Sequence, residues 1–69
     1  MGELQDIGST AGQVWNLLKK QGKASVSAVE SGVKAPKRRV HMALGWLARE
    51  GKIEMATEGG GLRVWLVGD

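Results

Sequence analysis

Cysteine, tyrosine and phenylalanine are absent from this sequence, which carries a single histidine, a single proline and three tryptophans. Without cysteine there are no disulfide staples and no thiolate metal sites, which fits a reducing compartment. One histidine, His41, with no second histidine and no carboxylate pair nearby leaves no metal-ligand set, so a flanking polar role is expected for it. There is no glycine-rich phosphate loop ahead of a helix and no acid pair at a spacing that defines a site. Catalysis is therefore not expected, nor is a cofactor, and nothing in the chain marks a small-molecule ligand. No apolar run approaches the roughly 20 residues of a membrane span. The opening MGELQDIGST is acidic where a secretory leader would be basic and then apolar, so a cytoplasmic protein with no membrane partner is expected.

With 69 residues, 42% of them apolar, the chain suits one domain spanning 1–69, with residues 1–8 read as a flexible lead-in. A chain this short buries only about 60% of its unfolded surface, close to the lower limit for a core without staples. The net charge of +3 is unevenly placed. Met1 to Leu18 holds Glu3 and Asp6 and no basic residue, whereas Lys34 to Lys52 holds six basic residues against Glu50. Such a patch suits phosphates, although a solvated helix face has the same composition.

The most informative stretch is Pro36 to Ile53, PKRRVHMALGWLAREGKI. At about 100° per residue, Val40, Ala43, Leu44 and Leu47 fall on one face and Arg38, Met42, Gly45 and Arg49 on the other. Pro36 suits a first helical turn, where its missing N–H bonds nothing, and Gly51 suits the residue that closes a helix. Upstream, Thr10-Ala-Gly-Gln13 has capping-box spacing and predicts the start of a first helix, with Ala11, Val14, Trp15 and Leu18 as its buried stripe and Gly22 as its stop. Ser27-Ala-Val-Glu30 repeats that spacing and predicts a short second helix with Val26, Val29 and Val33 facing one way and a turn at Lys34-Ala35. Ala24 to Val26 reads as a short third strand. Downstream, Lys52 to Thr57 and Leu62 to Val67 alternate, and Glu58-Gly59-Gly60-Gly61 between them reads as a flexible hairpin connector.

Three helices followed by a C-terminal two-stranded hairpin is an α+β arrangement, the order of a winged helix-turn-helix with the hairpin as wing. With these elements laid out, AGQVWNLL in the first helix and ALGWLAREGKI in the third are similar to the signature of a family of small, functionally uncharacterised bacterial and archaeal winged-helix proteins. The resemblance covers Ile7 to about Val67. It implies a three-helix domain with a terminal hairpin and a DNA-binding shape, which does not by itself confer an activity. The sequence departs from that pattern at Ala35-Pro36, where a larger apolar residue and then a polar one are expected.

The candidate DNA-binding residues are Lys34, Lys37, Arg38, Arg39, Arg49 and Arg63. Positive side chains in a first helical turn oppose the helix dipole, so three in a row at Lys37, Arg38 and Arg39 invite an anionic partner. In helix-turn-helix proteins that end of the third helix meets bases, and arginine suits guanine O6 and N7, which makes Arg38 the base reader and Arg39 and Lys37 phosphate contacts. Arg49 either reaches a phosphate or complements the helix C-terminus. Arg63 is the hairpin's contribution. Met42, Gly45 and Trp46 form a second candidate surface, because a mid-helix glycine costs about 1 kcal/mol against alanine. That glycine answers a close contact with another part of the domain, with a second protein or with DNA. Trp65 either covers the core or stands exposed near the wing.

The function these features predict is double-stranded DNA binding by the third helix (residues 36–50), in a small transcriptional regulator or chromosome-associated factor that forms a homodimer. The competing reading is a protein-interaction or dimerisation module that uses the same fold without nucleic acid.

Overall fold

The computed structural model, which describes residues 3–68, runs α1 (Glu3–Gln21), β1 (Ala24–Ser25), α2 (Val26–Gly32), α3 (Lys37–Arg49), β2 (Ile53–Glu58) and β3 (Gly61–Leu66). The expected winged helix-turn-helix is present, with α2 and α3 as the motif and β2–β3 as the hairpin. The sheet is antiparallel with order β1-β3-β2, so the predicted short strand does form, as one edge. Val14 and Leu18 of α1, Val29 of α2, Val40 of α3 and Val64 of the central strand have 2% or less of their surface exposed and form the centre of the core. The predicted α3 stripe of Val40, Ala43, Leu44 and Leu47 is buried throughout.

Two helix starts differ from expectation. The first helix begins at Glu3, not at Thr10, so residues 3–8 of the expected lead-in are helical, while residues 1–2 lie outside the described residues. Thr10 is buried inside the helix, and its hydroxyl donates to the Asp6 carbonyl at 2.8 Å, one turn back. A threonine that bonds the i−4 carbonyl needs no free amide, which is why capping-box spacing misleads here. The second helix is capped by Ser25, whose Oγ accepts from the Ala28 amide at 3.0 Å, and not by Ser27. Ser25 has extended backbone angles and pairs with Arg63 across the sheet, so one residue ends β1 and caps α2.

Pro36 stands one position ahead of its expected place, as the residue before the first helical turn; its carbonyl accepts from Val40 N at 3.0 Å and its side chain caps nothing. Val29 accepts from the amide of Val33, and Val33 accepts from Ala35, which tightens the α2–α3 turn. Ala35 packs partly against the core. At the far end, the Gly51 amide donates to Ala48 and the Lys52 amide to Leu47, the paired bonds of a Schellman closure, and the Val67 amide donates to the Lys52 carbonyl. The end of α3 is thereby bonded to both arms of the hairpin stem.

The strands obey the predicted alternation, but the hairpin outreaches the core. Ile53 is buried while Met55, on the same face, is 36% exposed and Thr57 is exposed. The tip is tight where a flexible connector was expected: Glu58 pairs with Gly61, leaving Gly59 and Gly60 as a two-residue turn with φ of 59° and 85°. Positive φ at both central positions is the type I′ requirement that glycine meets without steric cost. Gly60→Ala is expected to destabilise the domain by about 1 kcal/mol, whereas Gly59→Asn should be near neutral, as read by thermal melting. Equal melting temperatures for the two variants would count against this turn geometry.

Candidate nucleic-acid interface

Lys34 lies in the α2–α3 turn, and Lys37 and Arg38 open α3; all three are exposed. The first turn of α3 contains no acidic residue, and none of the three forms an ion pair among the described residues. Arg39 behaves differently. It is half-buried on the side of α3 that faces α1, with its guanidinium 3.8 Å from the Asp6 carboxylate. That partner belongs to the helical turns that the sequence assigned to a flexible lead-in, which is why Arg39 was grouped with its exposed neighbours.

Arg49, the last residue of α3, is exposed on the face that also carries Arg38, Met42 and Gly45, spaced i, i+4, i+7 and i+11. Met42 is 44% exposed. A Cβ built on Gly45 would meet nothing within 4 Å, so no packing contact within the domain explains this glycine. Gly45→Ala is accordingly expected to raise the stability of the free domain by up to about 1 kcal/mol, measured by chemical denaturation. A loss of stability would reveal an internal contact at that position.

Trp46 turns away from this face. With Trp15, Gly8 and Gly12 it lines a cleft between α1 and α3. Trp15 is only half-buried, under the Lys19 ammonium at 4.7 Å from the ring centroid, which corrects its expected place in the core. The buried stripe is centred on Ala11, Val14 and Leu18, and Trp15 sits at its margin.

Arg63 does not join the basic turn. Val64 is buried, so its neighbours Arg63 and Trp65 stand on the outer face of the sheet. Trp65 is partly buried there beneath Lys23, whose ammonium lies 4.6 Å from the ring centroid and 3.1 Å from Glu58 Oε2.

On the other flank of α3 the hairpin, α2 and α3 enclose an open apolar groove of about 530 Å³, lined chiefly by Val26, Leu44, Met55 and Leu62, with Gly45 at its margin next to the exposed face. His41 reaches from α3 to hydrogen-bond Glu30 of α2 at its edge. Sequence reading did not find this groove. The signal was present in the inward parity of Met55 and Leu62, but parity alone does not tell how far a hairpin extends past its core.

This geometry agrees with relationships to other proteins. Residues 1–66 match the family described as "Winged helix-turn-helix domain (DUF2582)". The chain belongs to this family. The solution NMR structure of protein BT2368 from Bacteroides thetaiotaomicron is similar to it with a TM-score of 0.79 and 29% sequence identity, over 90% of this chain and 76% of that one. No curated protein matches the chain. Family membership accounts for the helix-turn-helix and hairpin of this winged-helix chain. No described helix is long and apolar enough to cross a membrane.

Proposed function

We propose that this winged-helix domain binds double-stranded DNA through α3, as a small transcriptional regulator or chromosome-associated factor. The observation that carries the reading is the contrast within one helical turn: Arg39 has an intramolecular carboxylate, whereas Lys37 and Arg38 stand exposed without one among the described residues, against the positive end of a helix dipole. A polyanion relieves that arrangement. Lys34 and Lys37 serve as phosphate contacts, Arg38 reaches into the major groove, and Arg49 holds phosphate at the other end of the helix. Arg63, on the outer sheet face, contributes only general positive charge.

Titration of random-sequence duplex with increasing salt tests this reading. The three phosphate contacts, Lys34, Lys37 and Arg49, give a log K against log salt slope of about −2.7, at about −0.9 per contact. No detectable binding at low salt would overturn it. A second reading, association with protein or with another copy of the chain, is favoured by the cleft between Trp15 and Trp46, because aromatic side chains are enriched at protein contact surfaces. Self-association in sedimentation without duplex binding selects it.

A further inference from the structure

The exposed face of α3 is cationic at its two ends and apolar between them. Arg38 and Arg49 are separated by eleven residues, a rise of about 16 Å. That distance spans a major groove about 12 Å wide, so Arg38 reaches base edges at one side of it while Arg49 meets the phosphates at the other. Lys34 and Lys37 reinforce the Arg38 end. The positions facing the groove floor between these charges are Met42 and Gly45. Glycine offers no side-chain hydrogen bond, and the methionine thioether is only a weak acceptor with no donor. Of the neighbours that carry one, Trp46 lies in the cleft against α1, and His41, though exposed, has its Nε2 engaged by Glu30. The remaining neighbour, Ala48, has none to give.

A base edge pressed against such a surface loses water without gaining a protein partner, a cost that falls on the amino and carbonyl groups of all four bases. The one apolar group that the major groove displays is the C5 methyl of thymine. Gly45 removes the side chain that would otherwise hold the helix off the groove floor, and its open surroundings show that the domain itself does not need the space. Building on the duplex-binding reading above, we infer that Met42, with the bare backbone at Gly45, reads thymine methyl groups in the middle of the site. The domain then selects thymine-containing duplex flanked by the bases and phosphates that Arg38 and Arg49 reach.

The test is selection of bound duplexes from a random library, followed by resynthesis of a selected site with deoxyuridine in place of thymidine. Selected sites should share thymine at one or more central positions. Each central methyl removed should weaken binding about fourfold, as expected for loss of one buried methyl contact. Deoxyuridine outside the selected positions should have no effect. Met42→Ala, at an exposed position that leaves the core intact, should bind the thymidine and deoxyuridine duplexes alike. Selection without thymine, equal affinity of the native protein for both duplexes, or an undiminished methyl effect in Met42→Ala would each overturn the inference. In those cases salt-dependent duplex binding would persist and the function proposed above would stand. Absence of any duplex binding at low salt would overturn both.

Discussion

Replacing Lys34, Lys37 and Arg38 together by glutamine is expected to abolish duplex binding at physiological salt while leaving the domain folded. These three cations have no carboxylate partner among the described residues, and the helix they open has no acidic residue in its first turn. With Lys34 and Lys37 each contacting one phosphate, residual binding at low salt should show a slope shallower by about 1.8, at about 0.9 per contact. Melting temperature should hold or rise slightly, because two positive charges leave the positive end of the α3 dipole. Arg39→Gln is the control. Its loss removes a half-exposed ion pair with Asp6, a change of about 0 to 1 kcal/mol in stability, and should affect binding far less. Unchanged duplex affinity in the triple variant would move the interface elsewhere, and equal damage from Arg39→Gln would show that the Asp6 pair opens in the complex.

The largest effect on stability is expected from Leu18→Ala. Leu18 is 1% exposed and lies at the centre of the core, where truncating a leucine costs about 2 to 5 kcal/mol. A domain of this size holds folding free energy of about that order, so the variant should be largely unfolded or melt tens of degrees lower. Trp15→Ala removes a larger side chain, yet it should cost less. The indole is half-buried at the margin of the helix stripe, with Lys19 over one of its faces. Urea unfolding of the two variants makes the comparison. A Trp15→Ala penalty equal to or above that of Leu18→Ala would place the indole in the core after all.

Those two residues show what periodicity conveys. Spacing along α1 identified Ala11, Val14 and Leu18 correctly because the centre of a buried stripe repeats at fixed intervals. It placed Trp15 wrongly because the margin of a stripe is decided by the neighbouring element, here Trp46 of α3. The helix order, the α3 face and the hairpin could likewise be read from local pattern together with Pro36, Gly51 and the glycine run. The starts of α1 and α2 could not. Thr10 and Ser27 have cap-like spacing, yet one is buried against its own helix and the other yields to Ser25, whose strand pairing fixes the extended angles that a cap needs. For the candidate site, sequence supplied the basic cluster and the outward position of Gly45. It could not divide the cluster, because the partner that removes Arg39 lies 33 residues upstream in chain order.

The hairpin tip bears on how much information one copy of the domain can extract from a genome. The turn is Gly59-Gly60, which presents no side chain, and the residue before it, Glu58, is an acid tied to Lys23 on the sheet's outer face. Such a tip has nothing to insert into a minor groove and is electrostatically averse to the backbone beside it. Base reading under the proposed function therefore falls to α3 alone, and one such helix meets about three or four base pairs. A four-letter word recurs by chance about once in 256 positions, far too often to mark a unique address. A locus-specific role would need two helices reading adjacent words, whereas a solitary copy would coat DNA broadly.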